Sequence, residues 1–550
     1  MSMLRWGQWG LCVLLCAACS ETVGRFAIDD AGRDPDAGSV GCVGAPCADA
    51  SVAGDGAGSR DGTVAAPAVC GDQVCQASES CASCASDCGA CPPVDAQLLA
   101  TAKAWLAADP SGRAQFESTL AKVTTNIDAI MAQVQARSYT RTQTGLFQKQ
   151  VFELPGLSTT YAGHVFYYNV PDHYNANDPN SKLCVMVWLH GGGSYFTDEA
   201  DWLYGSIRDF EGGKRSYAMP EGKSCLVVTP QAPHHDLLPE DPNDPAETQK
   251  FREQHASRWN VPKAAPYILD LVFRELAARY RIDPDRVFIT GFSMGGFGTY
   301  QQIFQGGQHF AAAMPSAGAW READWSSLQM PIVFIHGDSD YVLVKHPKLA
   351  SALLTQAKLP HQLKIYQGGH SWTEVAEQSF AAFIDQGTNG PIGYVADKRR
   401  DGYQSTVRAL TPSTSYLVGA NFRLTWPAPE TPQTKWVTIE KGAGTIPFAQ
   451  VADSDSTAAT VQAKAGRATA TISGNAITVQ TENVSKLWLS IHPQKMAVDI
   501  AKPIMVTVDG KTRAYTCQPN LLEALQSLVR ANYDWGLVYH CRFAVDLSAQ

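Results

Sequence analysis

A serine between glycines lies where the chain is expected to pass from a strand into a helix. Residues 291–295 read Gly-Phe-Ser-Met-Gly, with Ser293 at the centre, and follow the strand-like stretch 286–290. Glycines on both sides of a serine permit a sharp strand-to-helix turn. Such a turn lifts the hydroxyl away from the backbone and directs the N–H groups of the helix toward an incoming anion. The pattern predicts that Ser293 is a nucleophile.

A serine hydroxyl is a weak nucleophile until a base takes its proton, so a histidine and an orienting acid are needed as well. In the order Ser, acid, His, the acid is expected after the strand-like stretch 331–335, where Asp338 and Asp340 occur, and His370 follows Asp340 by 30 residues. We predict His370 as general base and then acid, and Asp340 as the group that fixes the imidazole tautomer. Asp338 is the alternative acid, and its other role would be to cap a turn.

A glycine-rich turn at 189–193, Leu-His-Gly-Gly-Gly, follows another strand-like run. Attack on a carbonyl places negative charge on its oxygen, and glycines allow backbone amides to approach that oxygen closely. One such donor is commonly worth about 100- to 1000-fold in rate. The predicted oxyanion hole consists of the backbone N–H groups of Gly192, Gly193 and Met294.

Between residues 147 and 388, short apolar runs alternate with helical runs. The runs predicted as strands are 147–154, 164–170, 184–189, 225–230, 287–290, 311–314 and 332–335. Helical stretches such as 264–280 and 298–304 lie between several of them. This alternation predicts an α/β fold, a mostly parallel sheet with helices on both faces. Ligand chemistry in such sheets lies beyond the carboxyl ends of the strands, where the residues above are placed.

Four segments together resemble a known family. The run RVFITGFSMGGFGTY, preceded by LHGGG and followed by IHGDSDYVLV and GGHSW, resembles the α/β-hydrolase fold. Within that fold it is similar to the secreted esterases grouped with polyhydroxybutyrate depolymerases, feruloyl esterases and phospholipase/carboxylesterase-type peptidases. The resemblance covers about residues 147–388. It implies a serine esterase that forms an acyl-enzyme, needs no cofactor and takes small or polymeric esters, with Asp340 as the second Asp of HGxxD. No HExxH pattern supports metal-dependent hydrolysis.

Two further regions flank this catalytic domain. Residues 95–146 are predicted to be helical. One predicted helix has a single apolar face of residues at steps of three and four, Phe116, Leu120, Val123, Ile127, Ile130 and Val134, and Pro110 separates it from an earlier helix. Residues 391–550 are predicted to form an all-β, sandwich-like domain with two-residue hairpin turns at 474–475 and 509–510. Two cysteine pairs are disulfide candidates, Cys184 with Cys225 and Cys517 with Cys541.

The amino terminus is typical of an export signal. Arg5 precedes an apolar run that ends in small residues before Cys19, similar to a bacterial lipoprotein signal over 1–19. We predict lipidation at Cys19, and an ordinary cleaved signal is the alternative. Residues 20–69 are poor in apolar side chains and are predicted to be a disordered acidic tether. The protein is therefore expected to be exported, either anchored in the cell envelope or extracellular.

A cysteine-rich module follows at 70–92. Its six cysteines are Cys70, Cys75, Cys81, Cys84, Cys88 and Cys91. Export to an oxidising compartment favours disulfides, although six cysteines allow 15 pairings. Zinc is the alternative, because two CxxC pairs are present, but only three residues separate them. Calcium binding by the acidic residues of this module is a weaker alternative.

Charge distribution argues against a nucleic-acid partner. The formal net charge is −9, and residues 20–95 hold twelve acidic residues against three arginines, so the remaining chain is nearly neutral and has no basic stripe. Two rival functions stay open at this stage. One is a serine peptidase or amidase of the same fold, and the other is a catalytically inert surface protein that binds a polymer.

Overall fold

The computed structural model describes residues 93–191, 225–232, 259, 264–370 and 398–547, apart from short stretches at 321, 329, 343, 412–414, 419–421, 426–432, 443 and 452–457. The chain divides into two units, 1–66 and 67–550, and every described residue belongs to the second. The predicted signal with Cys19, the tether, the six-cysteine module, Gly192, Gly193 and the predicted domain boundary near 390 lie outside the described residues.

An eight-stranded sheet forms the centre of the first half. Its strands are β1 Gly145–Val151, β2 Val165–Val170, β3 Leu183–Leu189, β4 Leu226–Pro230, β5 Ile282–Phe292, β6 Ala312–Ser316, β8 Ile332–Gly337 and β9 His361–Tyr366. They lie in the order β1-β2-β4-β3-β5-β6-β8-β9. β1, β2 and β4 pair antiparallel, and every pair from β4 to β9 is parallel. β3 is buried along its whole length because it lies inside the sheet.

Helices cover this sheet. They are α4 Pro155–Thr160, α5 Ala264–Asp270, α6 Met294–Gly306 and α7 Lys345–Gln356, and α5 continues through a π-helical turn, Leu271–Leu276, to Ala277–Arg279. The predicted α/β fold with a mostly parallel sheet is confirmed. β5 is longer than the predicted 287–290, because it begins in the polar stretch after Arg281, where no apolar run marks it.

Three helices precede the sheet, α1 Ala96–Ala107, α2 Pro110–Leu120 and α3 Ile127–Gln135. The prediction of one helix from Phe116 to Val134 is wrong, because these residues belong to two helices, α2 and α3, and the segment between them. Asn126, which directly precedes α3, has a left-handed backbone with φ 56° and interrupts the helical conformation there. The helices pack on a helix near the carboxyl terminus, α8 Leu521–Arg530, through a shared apolar cluster. No helix among the described residues is long and apolar enough to cross a membrane.

The carboxyl-terminal half is mainly β structure. Its strands are β10 Thr406–Leu410, β11 Ser415–Val418, β12 Phe422–Thr425, β13 Gln433–Thr434, β14 Val437–Gly442, β15 Thr445–Val451, β16 Ala458–Lys464, β17 Arg467–Ser473, β18 Ala476–Glu482, β19 Val484–Ile491, β20 Ile504–Val508, β21 Lys511–Tyr515 and β22 Cys541–Val545. They form sheets in the orders β10-β17-β18-β20-β21, β13-β14-β19-β22 and β11-β12. The predicted hairpins at 474–475 and 509–510 are confirmed. The all-β expectation is wrong in one respect, because α8 lies within this region.

The two halves are in direct contact. A two-residue strand, β7 Glu322–Ala323, leaves the first half and pairs with β15, forming the sheet β16-β15-β7. Disulfides join Cys184, in β3, to Cys225, which directly precedes β4, and Cys517 to Cys541. Each of these two disulfides lies within one half.

A buried ion network is a further contact between the two halves. The carboxylate of Asp534 is fully buried, accepts from Arg400 and from the Gly536 N–H, and lies 2.8 Å from Nδ1 of His309. The Arg400 guanidinium also donates to Asp285, in β5, at 2.9 Å. Because the pKa of Arg400 stays far above neutral pH, its charge persists in the interior. The carboxylates of Asp534 and Asp285 are therefore needed to neutralise the buried charge of Arg400.

We expect Asp534→Ala to lower the free energy of unfolding by about 3–5 kcal/mol, because it leaves the buried Arg400 charge with the partly exposed carboxylate of Asp285 and the carbonyl oxygen of Gln308 as partners. The urea midpoint of the purified protein measures this effect. Asp499→Ala is the matched control, since Asp499 pairs with Lys502 at the surface, and its midpoint should hardly change. Equal midpoints for the two variants would contradict the assignment.

Candidate active site

Ser293 lies in the turn between β5 and α6. Its backbone angles are φ 56° and ψ −117°, a conformation that costs free energy for a residue with a Cβ. Two hydrogen bonds hold the turn, from the Ser293 N–H to the Ser316 carbonyl oxygen at 3.0 Å and from the Phe297 N–H to the Ser293 carbonyl oxygen at 2.9 Å. The serine is thus presented at the carboxyl end of a central strand.

Glycines allow this turn to pack closely on the sheet. A Cβ added to Gly295 would collide with the Leu189 carbonyl oxygen, and one added to Gly296 would collide with the Ser316 carbonyl oxygen. The first turn of α6 therefore contacts the backbone of the neighbouring strands directly. No other residue type fits these two positions without displacing the helix that carries the N–H groups beside Ser293.

A continuous set of hydrogen bonds connects Ser293 to a buried carboxylate. Nε2 of His370 lies 2.7 Å from Oγ of Ser293. Nδ1 of His370 lies 2.8 and 2.9 Å from the two carboxylate oxygens of Asp340. The Asp340 side chain is fully buried, and the His370 side chain is 9% exposed. In this arrangement the Nδ1 proton faces the carboxylate and Nε2 is available to the serine hydroxyl.

The two candidate acids have different surroundings. Asp340 accepts the Val342 N–H at 2.7 Å and contacts His370. Asp338 is exposed and accepts the Gly368 N–H at 3.0 Å and the Ser339 hydroxyl at 2.9 Å. The hydrogen bond from Gly368 holds the pKa of Asp338 below its usual range. The structure therefore brings Asp340 to the histidine, and Asp338 caps the turn and ties it to the loop that carries His370.

Part of the predicted oxyanion hole is described. Met294 is buried at the first position of α6, and the first N–H groups of a helix have no partner within the helix. Gly191, the last described residue of the glycine-rich turn, lies beside Ser293, because a Cβ on Gly191 would be 3.8 Å from the Cβ of Ser293. Gly192 and Gly193 lie outside the described residues. An anion above Ser293 would face the positive end of the α6 dipole.

Aromatic rings flank the histidine. The ring centroids of Phe292 and Tyr341 lie 4.9 and 4.2 Å from that of His370. Tyr341 is 74% exposed. The sequence does not reveal two backbone groups that hold the site, the Ser316 carbonyl oxygen bonded to the Ser293 N–H and the Val342 N–H bonded to Asp340. Every residue has a backbone carbonyl, and every residue except proline has an N–H, so their positions leave no signal in the residue types.

The family comparison agrees with the fold. Residues 225–413 match the model of the Dienelactone hydrolase family. No curated protein matches the chain. The chain is similar to the structure of a thermostable esterase, with 25% identity, a TM-score of 0.33 and coverage of 46% of this chain and 63% of that one.

Two other solved structures are similar to a comparable share of the chain. One is S-formylglutathione hydrolase from Staphylococcus aureus, at 17% identity, a TM-score of 0.30 and coverage of 45% of this chain and 99% of that one. The other is a ferulic acid esterase, at 17% identity, a TM-score of 0.29 and coverage of 44% and 97%. The strand order, the turn at Ser293 and the family match define the class, a protein of the α/β-hydrolase fold, and support a hydrolase.

Proposed function

We propose that this protein is a serine hydrolase that cleaves carboxylic esters through an acyl-enzyme. The observation that supports this most is the continuous contact of Asp340, His370 and Ser293, with distances of 2.8 and 2.7 Å at its two links. These are hydrogen-bond distances for a nucleophile, a base and the group that orients the base. The family match over residues 225–413 is consistent with this reaction class.

In the proposed mechanism, Oγ of Ser293 attacks the ester carbonyl while Nε2 of His370 takes its proton. Asp340 keeps the Nδ1 proton in place and stabilises the imidazolium. The N–H groups of Met294, Gly192 and Gly193 stabilise the charge that develops on the carbonyl oxygen. His370 then gives its proton to the leaving alcohol, and water attacks the acyl-enzyme in the same way.

The test uses the purified protein with p-nitrophenyl acetate, butyrate and octanoate, methyl ferulate, and the p-nitroanilides of the same acyl groups. The expected result is ester turnover. We also expect a fluorophosphonate probe to label the protein and peptide mass spectrometry to locate the label on Ser293. Faster turnover of the anilides than of the matched esters would indicate an amidase. A folded protein with neither turnover nor labelling would overturn the proposal in favour of a polymer-binding role.

We also propose that the protein is exported and carries lipid on Cys19, on the strength of the signal-like sequence at 1–19. The expected mass of the amino-terminal peptide includes a diacylglyceryl cysteine, and Cys19→Ser should release the protein from the membrane fraction. A mature terminus at another residue without lipid would indicate an ordinary cleaved signal.

We expect Tyr341→Ala to lower kcat/KM for p-nitrophenyl butyrate about 2- to 10-fold, because an aromatic contact of this kind is worth about 0.5–1.5 kcal/mol and here it restrains the His370 ring. Tyr341→Phe keeps the ring but removes the hydroxyl, which hydrogen-bonds to the Ser293 side chain, so this variant separates the contribution of the ring from that of the hydroxyl. If Phe and Ala at this position were equally impaired, the hydroxyl and not the ring would be responsible. Stability should change little, since the side chain is exposed.

A further inference from the structure

A second group of chemically competent side chains lies where α3 meets the carboxyl-terminal sheet. Asp128 is in the first turn of α3, His492 directly follows β19, and His540 directly precedes β22. Each offers one ligand atom, and these atoms lie within 4.8 Å of one another. Among the described residues, this is the one such group of three or more metal-ligand side chains, and it shares no residue with the Ser293–His370–Asp340 contact.

The distances fit a small divalent cation. Oδ1 of Asp128 lies 3.2 Å from Nε2 of His492 and 3.3 Å from Nε2 of His540. Zinc bonds of about 2.0–2.1 Å in a tetrahedral site place neighbouring ligands about 3.3 Å apart. The two imidazole rings are 4.1 Å apart between centroids. A cation needs no large rearrangement to reach all three atoms.

The sheet holds both histidines in place. Ile491 and Cys541 are register partners in the β19–β22 pair, and the His540 N–H donates to the Ile491 carbonyl oxygen at 2.8 Å. The side chains of His492 and His540 are 2% and 3% exposed. The site is thus preorganised by backbone pairing.

Hydrogen bonds satisfy this cluster incompletely. Nε2 of His540 is buried and lies 3.3 Å from Oδ1 of Asp128, but the two atoms are not aligned for a regular hydrogen bond. A buried nitrogen without a partner normally costs about 1–3 kcal/mol, so such a group calls for an explanation. The Lys495 N–H donates to Nδ1 of His492 at 3.4 Å, a long and therefore weak hydrogen bond.

We propose that Asp128, His492 and His540 bind one Zn²⁺ ion, with the two Nε2 atoms and one carboxylate oxygen as ligands. Two imidazoles and one carboxylate are ligands of both Zn²⁺ and Fe²⁺, and the ligand separations of 3.2 and 3.3 Å match the tetrahedral geometry of zinc. The Asp128 side chain is 32% exposed, so water can complete the tetrahedron from that side. The ion links α3 to the end of the β19–β22 pair and so fastens the amino-terminal helices to the carboxyl-terminal sheet. This proposal does not depend on the proposed hydrolase function.

The test uses the full chain, purified without reductant and dialysed against a chelator. Zn²⁺ is titrated with native mass spectrometry and thermal unfolding as readouts, and Co²⁺ is added separately to record its visible spectrum. The variants are Asp128→Asn and His540→Gln, and His361→Gln is the matched control, because His361 bonds to Ser351 and Leu359 away from this cluster.

The expected result is one bound Zn²⁺ that raises the Tm of the wild type and of His361→Gln. Both cluster variants should lose at least about 100-fold in affinity, more than the loss of an outer-shell partner costs. The Co²⁺ spectrum should lack the thiolate charge-transfer band that a cysteine site would give. No binding by the wild type, or equal binding by all four proteins, with or without a thiolate band, would overturn the proposal. If His540→Gln does not fold, Asp128→Asn decides alone, because its side chain is partly exposed.

Discussion

Replacement of Ser293 by alanine is expected to lower kcat for p-nitrophenyl butyrate by on the order of 10⁵- to 10⁶-fold, because loss of the proposed nucleophile would remove the proposed acyl-enzyme route. The hydroxyl lies 2.7 Å from Nε2 of His370, and we expect no other group to take its place. Alanine keeps the Cβ, so the backbone at φ 56° is no more strained than before. Steady-state kinetics and the unfolding midpoint together separate loss of chemistry from loss of folding.

Ser339→Ala is the matched control for that variant. Ser339 is in the turn after β8, and its hydroxyl donates to Asp338 and not to the histidine. Its activity should stay within a few-fold of the wild type. Ester turnover that survives in Ser293→Ala, at a rate comparable to that of the control, would mean that another group or bound water carries out the attack.

Asp340→Asn is expected to lower kcat by about 10⁴-fold, the loss that an amide causes at the acid position of a Ser-His-Asp triad. An amide can turn an N–H toward Nδ1 of His370, and the imidazole proton then moves to Nε2, where the ring cannot accept from Ser293. The buried carboxylate is 2.8 Å from Nδ1, so the substitution acts at the point of contact. Asparagine has nearly the same volume, which limits effects on packing.

The neighbouring carboxylate provides the control, Asp338→Asn. Asp338 is exposed and bonds to the Gly368 N–H and the Ser339 hydroxyl, so its loss should loosen the turn and reduce kcat less than 10-fold. Comparing kcat for the two variants decides between the two acids that the sequence leaves open. A larger loss for Asp338→Asn than for Asp340→Asn would reverse the assignment.

The sequence predicts much of the site because its signals are local. The glycines around Ser293 mark the turn by their types. A short apolar run forms the later part of the strand before Ser293, and another forms most of the strand before Asp340. Because parallel strands end at one edge of the sheet, the side chains that follow them are expected to lie close together. The sequence could not decide between Asp338 and Asp340. Both carboxylates lie in one turn, and only the three-dimensional structure shows which side chain points toward His370.

Other features depend on contacts between distant parts of the chain. Asp534 and Arg400 are 134 residues apart, and the packing of α8 on the amino-terminal helices spans most of the chain. The helix α8 itself did have a local signal. Asn520 accepts the Glu523 N–H at 2.9 Å, an amino-terminal cap that precedes an apolar pattern at helical spacing. This signal was not used in the prediction, because the alternation of apolar and polar residues in the neighbouring strands dominates that part of the sequence and favours β structure.

The close packing beneath Ser293 limits how this scaffold could be redesigned. At Gly295 and Gly296 the first turn of α6 touches strand backbone, so a larger residue there would move the helix and the nucleophile together. Directed evolution toward new acyl groups is therefore expected to gather its productive changes in the segments beyond the strand ends and at exposed positions such as Tyr341. Libraries that vary the turn itself should yield mostly insoluble protein.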